Sequence, residues 1–331
     1  MNEILLKQCI RPVDPLKDKE LPRFSHSRLE VFDTCEARYD LQYNQKKRSD
    51  DKTLALEIGS LCHKVLEEKG KMLLEGKTVD YGKLNEILEN GHIEINENTK
   101  EEIRGLKALK RYYFEEWYQS DNASGMTYDD KMKKFDDVLH SEMEDDDWKP
   151  LYFELPFEFV WRDKYIISGF IDRVDIKKNE YRVVDYKSSK KIFDATKLPT
   201  AQQMGIYACA ILCIYGKLPK EYQYRFILID DKQYAMTKNW EMRLIKKLDK
   251  IFDTIAESDD KGMYKPSPSP LCYFCPYCEN NPKAKEFSRE CEYYSLWKPD
   301  NKTFAVNKVF EENASPSSAK ESGETVRKLI F

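Results

Sequence analysis

Apolar positions change their period several times along the chain, and each change marks an element. Residues 152–161 and 165–176 alternate or concentrate apolar side chains as strands do, with Arg162-Asp163-Lys164 as the turn between them. A third such run, residues 181–189, follows the short polar turn Lys177-Lys178-Asn179-Glu180. Residues 201–215 are apolar enough for a helix packed on a sheet, and residues 222–229 read as a fourth strand. Helical spacing appears on both sides of this block. In residues 28–42 a rough stripe is formed by Leu29, Phe32, Cys35, Ala37 and Tyr39, with Ser27 as the expected N-cap. Residues 59–74 carry Leu61, Cys62, Val65, Leu66 and Leu73, and residues 239–255 place Trp240, Leu244, Leu248, Ile251 and Phe252 on one side. The pattern predicts a mixed α/β (α+β) fold. Residues 1–22 lack a clear period and are expected as an arm, residues 75–150 read as a polar helical insertion, and residues 298–331 as a flexible tail.

Two of the strands carry a carboxylate where an apolar residue is expected. Asp172 lies within Gly169-Phe170-Ile171-Asp172-Arg173-Val174-Asp175, and Asp185 within Val183-Val184-Asp185-Tyr186-Lys187. A carboxylate in a sheet interior costs free energy unless something pairs with it. The hairpin brings the two acids toward one region, where a divalent cation taking oxygen ligands relieves their repulsion. Lys187, two residues after Asp185, shares its face of the strand. Such a set suits phosphodiester hydrolysis: the metal activates water and polarises a phosphate oxygen, while the ammonium orients that water or offsets developing charge. Asp-x-Lys alone is a common accident, and an exposed strand pair is its plainer reading.

At these residues the chain resembles the PD-(D/E)xK nuclease superfamily, in its RecB-like branch, which includes CRISPR-adaptation exonucleases. The resemblance covers about residues 23–297. Glu57-Ile58-Gly59-Ser60-Leu61-Cys62-His63 is similar to the branch's Gly-x-x-x-His segment, and Gln203-Met204-Gly205-Ile206-Tyr207 to its Gln-x-x-x-Tyr motif. The resemblance implies a restriction-endonuclease-like core of order βββαβ. It also implies that His63, Asp172 and Asp185 hold Mg²⁺ or Mn²⁺, with Glu154, rather than its neighbour Glu158, as an outer ligand. Lys187 would serve the attacking water, and Gln203 and Tyr207, neighbours on one helical face, would position DNA and water. Taken alone, His63 at the margin of an apolar face reads as a structural histidine; two aspartates as companions make it a metal ligand. The implied activity is that of a DNA exonuclease acting on single strands or duplex ends in recombination, repair or replication. A nuclease subunit of a helicase or CRISPR-adaptation complex is the alternative, and since no Gly-x-x-x-x-Gly-Lys-Ser/Thr occurs, its motor would be a separate protein.

The chain has nine cysteines. Cys9, Cys62, Cys209 and Cys213 are scattered and read as small core residues. Cys272, Cys275 and Cys278 form two overlapping Cys-x-x-Cys pairs in a module at residues 266–297, and Cys291 follows. Such spacing serves tetrahedral zinc and a 4Fe-4S cluster equally well. In iron-sulfur members of the resembled branch a helix near the N-terminus carries the first of four cluster cysteines. Here that would be Cys35, giving Cys35, Cys272, Cys275 and Cys291, with Cys278 contesting the last place. The second Cys-x-x-Cys and the distance to Cys291 depart from the branch's pattern. Zinc is the alternative occupant, and a non-enzymatic zinc protein that binds nucleic acid through this module and the aromatic run at residues 106–118 is a further reading of the chain.

Composition changes this picture little. A chain of 331 residues, 41% hydrophobic, has material for a real core. It shows no apolar run of about 18 residues and no signal-peptide pattern, so a cytoplasmic location is expected. With 55 basic and 59 acidic residues, binding to DNA must rest on a local basic surface. Residues 106–118 are one candidate, interleaving Lys107, Lys110 and Arg111 with Tyr112, Tyr113 and Trp117 as a surface for stacked bases. An amphipathic packing helix is the plainer reading of the same run.

Overall fold

The computed structural model describes residues 2–48, 54–94, 102–104, 107, 147–188, 202–226, 230–234, 236, 239–278 and 290–291. In chain order these form α1 (Asn2–Lys7), β1 (Ile10–Pro12), β2 (Arg23–Phe24), α2 (His26–Thr34), α3 (Glu36–Tyr39) and a π-helical turn at Asp40–Asn44. Next come α4 (Leu54–Leu74), α5 (Tyr81–Asn90), β3 (His92–Glu94), β4 (Glu102–Arg104), β5 (Lys149–Trp161), β6 (Tyr165–Lys177) and β7 (Glu180–Lys187). The last are α6 (Gln202–Tyr215), β8 (Glu221–Phe226), β9 (Asp230–Tyr234), α7 (Trp240–Lys261) and a 3-10 turn at Pro270–Phe274. The chain divides into two units, Met1–Phe24 with Lys52–Ile245, and Ser25–Asp51 with Lys246–Phe331. No described helix is long and apolar enough to cross a membrane.

The first unit is built on a seven-stranded mixed sheet of order β1-β5-β6-β7-β8-β9, with β2 added against β6. β5, β6 and β7 form an antiparallel meander; α6 then returns the chain so that β8 runs parallel to β7. The expected order of three strands, a helix and a strand is therefore present. The β6–β7 hairpin closes through Lys178 and Asn179, at φ 47° and 64°, the left-handed pair that a two-residue turn needs to match strand twist. β7 is buried continuously from Tyr181 to Tyr186, and α6 is buried from Met204 to Leu212, which explains why both read as apolar runs rather than alternating patterns.

Residues 1–22, expected as an arm, instead join this unit. β1 pairs antiparallel with β5 through Ile10 and Trp161, and Leu6 of α1 is fully buried. Arg11 secures the segment, donating to both carboxylate oxygens of Asp18 at 2.6 and 2.7 Å. A three-residue strand is too short to show a period, so nothing in the pattern marked it.

Two further features fix the elements that carry the site. A β-carbon on Gly70 of α4 would meet the ring of Phe153 at 2.2 Å, so only glycine lets α4 lie this close to β5. On β6 and β7, Asp175 is fully buried and accepts from Arg173 Nε at 2.5 Å and from Arg182 Nε at 2.8 Å. Asp175 and Arg182 are direct cross-strand partners, so this ionic group fixes the register of the hairpin.

In the second unit the single helix expected over residues 28–42 is divided. Ser25, not Ser27, is the N-cap of α2, its side chain accepting from Arg28 N. Cys35 is extended, at φ −163° and ψ 111°, and separates α2 from α3. Tyr277 donates to Lys47 O at 2.5 Å, and Lys47 pairs with Glu290 at 2.6 Å.

Candidate active site

The β6–β7 ladder ends one step before the two aspartates. Its last rung pairs Arg173 with Val184; another rung would set Asp172 opposite Asp185. Instead Asp172 Oδ2 accepts the backbone N–H of Tyr186 at 2.8 Å. A side chain takes the place of a ladder partner, and both carboxylates are left at the point where the strands part. β7 beyond this point pairs with β8, Asp185 opposite Tyr224 and Lys187 opposite Phe226.

α4 supplies the imidazole. Ile58, Cys62, Val65 and Leu66 bury one side of the helix, leaving His63 at the margin with its Nδ1 3.7 Å from Asp172 Oδ2 and 3.8 Å from Glu154 Oε1. One ligand atom from each of His63, Glu154 and Asp172 lies within 4.8 Å of the others, a span that one cation bridges. Glu154 reaches this position through a backbone at φ 49°, a left-handed conformation that costs a non-glycine residue of order 1 kcal/mol or more. Glu158, the other glutamate on β5, is instead paired with Arg23 at 2.5 Å.

Asp185 stands beside this trio and heads a closed circuit. Its Oδ2 lies 2.6 Å from Lys187 Nζ, and Lys187 donates to Gln203 Oε1 at 2.9 Å. Gln203 Nε2 donates to Tyr207 OH at 3.0 Å, and Tyr207 donates to Asp185 Oδ1 at 3.4 Å. α6 brings Gln203 and Tyr207 together because they are one turn apart. Lys187 approaches Asp185 Oδ2 as an ion pair without hydrogen-bond alignment, so that buried oxygen has no hydrogen-bond donor. A buried carboxylate oxygen left in this way is what a cation ligand looks like before the cation is added.

The electrostatics agree with that reading. Burial, and next the charge of Asp185, push Asp172 up to about 7. Burial lowers His63, but Glu154, Asp172 and Asp185 outweigh it and leave the imidazole above its ordinary value. Without a cation the site holds protons to limit its negative charge; a divalent ion would replace them. Tyr207 is raised by burial and by Asp185, so it stays a phenol and a donor.

His63, Glu154, Asp172, Asp185, Lys187, Gln203 and Tyr207, scattered in sequence, are thus gathered in one place. Of the basic and aromatic run, Lys107 is exposed; Lys110, Arg111, Tyr112, Tyr113 and Trp117 lie outside the described residues, as do most of residues 75–150 and all of the tail at 298–331. Sequence reasoning missed the ionic group at Asp175, whose only signal was a second acid three residues after Asp172 on one strand.

The second unit has its own cluster. Cys35, Cys272, Cys275, Cys278 and Cys291 line one pocket with Arg38, Leu41 and Tyr277. Cys278 lies within hydrogen-bonding reach of Cys272 and Cys275 and pulls both below the usual thiol range. Cys291 is its third close sulfur neighbour, and this crowding raises the Cys278 thiol. Burial pushes Cys35 up to about 11.

A mixed sheet that gathers carboxylates, an imidazole and an ammonium where two strands part is the core of a nuclease. The chain belongs to the PD-(D/E)XK nuclease superfamily, whose profile matches residues 23–279. Over 197 residues it is 28% identical to an ATP-dependent helicase/deoxyribonuclease subunit of Clostridium perfringens, a match covering 54% of this chain and 16% of that protein. Over 129 residues it is 29% identical to the gene 69 protein of Mycobacterium phage D29, covering 38% of this chain and 44% of that one. The matches span less than half of each relative's length.

Proposed function

We propose that the chain is a metal-dependent DNA exonuclease that hydrolyses phosphodiester bonds of single strands or duplex ends. The juxtaposition of the His63–Glu154–Asp172 trio with the Asp185–Lys187–Gln203–Tyr207 circuit carries this reading. His63, Asp172, Asp185 and, as an outer ligand, Glu154 hold Mg²⁺ or Mn²⁺. A cation there lowers the pKa of a bound water and polarises the scissile phosphate. Tyr207 donates to Asp185 Oδ1, and a cation held by Oδ2 would share that oxygen with the Lys187 ammonium. Gln203 and Asp185 flank the Lys187 ammonium, which would be placed to orient the water and to offset the charge that develops on phosphorus. End-labelled oligonucleotides incubated with Mg²⁺ or Mn²⁺ test this directly. Nucleotides released from an end, with no activity in EDTA or after Asp185→Ala or Lys187→Ala, are expected; full activity in either variant would refute the roles of both residues.

In the second unit, Cys35, Cys272, Cys275 and Cys291 hold a 4Fe-4S cluster, with Cys278 contesting the last place and zinc as the competing occupant. Five cysteines lining one pocket support coordination. Anaerobically purified protein should show iron, acid-labile sulfide and a broad visible absorption; zinc alone would overturn the cluster. A second functional reading, a nuclease subunit working with a separate helicase, is favoured by the similarity to a helicase/deoxyribonuclease subunit. Affinity capture of the tagged chain from its native cells, with an ATP-driven motor recovered or absent, decides it.

A further inference from the structure

Two residues before Asp172, β6 presents a side chain that the described residues leave uncovered: Phe170 is 59% exposed. Its cross-strand partner is Pro156 of β5, also exposed. Single exposed apolar residues are ordinary on protein surfaces, so position must carry the argument. Alternate residues on a strand point to one side and lie about 6.6 Å apart, which sets Phe170 one step along from Asp172 on the same side of β6. The next rung pairs Glu158 with Ser168, and Glu158 is neutralised by Arg23 at 2.5 Å. The strip leading away from the acidic trio therefore runs from carboxylate to aromatic ring and prolyl ring, then to a polar pair.

What lies over that strip during the reaction follows from the site itself. With the scissile phosphate at the trio, the neighbouring nucleoside falls within one nucleotide's reach, where Phe170 and Pro156 stand. We propose that Phe170, backed by Pro156, is a stacking platform for an unpaired nucleobase next to the scissile phosphate, which makes single-stranded DNA the substrate class; this rests on the hydrolytic site proposed above. Away from its ends, a duplex has both faces of every base already stacked, so the ring has nothing to receive there. Every base has a π-face, so the platform selects for strandedness and not for base identity.

The test measures binding of the full chain, with Ca²⁺ in place of Mg²⁺, to a short oligothymidine, to its abasic counterpart and to a covalently closed circular duplex, which has no ends. Phe170→Ala should weaken oligothymidine binding about 5- to 150-fold, the range for loss of one stacked base. Phe170→Trp should retain it, and abasic strand and duplex should bind all three proteins alike. Because the side chain is exposed, the variants should melt with the wild type. Equal oligothymidine affinity in Phe170→Ala, or an equal loss for the abasic strand or the duplex, overturns the platform. Wild-type digestion in Mg²⁺ alongside such a result leaves the hydrolytic site standing; a wild type that neither binds nor digests any strand removes the site as well.

Discussion

Asp172→Asn should stabilise the metal-free protein while destroying its activity. The carboxyl is raised from 3.8 to about 7, first by burial and then by Asp185. A folded-state pKa above the unfolded one means that the proton is held more tightly in the folded chain. The stability this provides is complete below about pH 4 and is lost as the pH climbs through about 7. At 1.36 kcal/mol per unit, an ionised Asp172 at pH 8 costs about 4 kcal/mol, which is the gain expected on neutralisation. Asparagine keeps an oxygen to accept the N–H of Tyr186, so the local backbone should hold. In EDTA at pH 8, Asp172→Asn should therefore melt roughly 5 °C above the wild type, and the gap should narrow as the pH is lowered toward 4. Adding Mg²⁺ or Mn²⁺ should raise the wild type and leave the variant unmoved, closing the gap. Calorimetry across pH, with and without the ion, reads all of this. A variant that melts at or below the wild type in EDTA at pH 8, or a gap independent of pH, would refute the electrostatic account.

Other outcomes follow from single contacts. Gly70→Ala places a methyl group inside the Phe153 ring, which should cost about 1–3 kcal/mol and displace the helix that carries His63; Mn²⁺ titration should show weakened affinity, partly restored by adding Phe153→Leu. Tyr207→Phe removes the donor to Asp185 Oδ1, and kcat should fall about 10- to 100-fold with KM for DNA little changed, measured by steady-state digestion. Cys291→Ser should strip iron and sulfide from the anaerobic protein while Cys278→Ser retains them; the opposite pattern would give Cys278 the last place.

The two site aspartates were legible because they break a rule: Asp172 and Asp185 are charges inside apolar strand patterns, and such residues need partners wherever they fall. The hairpin turn was equally plain, since a short polar gap between two strands leaves few conformations. Less could be read where the outcome depends on long-range packing. Cys35 sits on an apolar helical stripe, yet its backbone is extended and divides the helix; no period in the chain distinguishes a helix that continues from one that restarts after a single residue. Ser25 and Ser27 are equally good caps in isolation, and only the folded chain selects Ser25. β1 owes its place to β5 and to the Arg11–Asp18 pair rather than to any pattern of its own.

Glu154 shows why the geometry of the site exceeds its motifs. Alternation along β5 places Glu154 and Glu158 on the same side, so pattern alone makes them equivalent. The structure separates them by a backbone rotation at Glu154 to φ 49° and by the Arg23 pair at Glu158. The strained conformation is kept next to the point where the β6–β7 ladder stops, and the two irregularities belong together. A ladder continued by one rung would satisfy backbone groups and direct Asp172 and Asp185 at each other as neighbours. Ending it at Arg173 and Val184, just beyond the ionic group at Asp175, lets the strands part while the register stays locked. The sheet thereby gives up one regular pairing and a relaxed Glu154, and in return holds His63, Glu154 and Asp172 around a space with the dimensions of an ion, with Asp185 at its side.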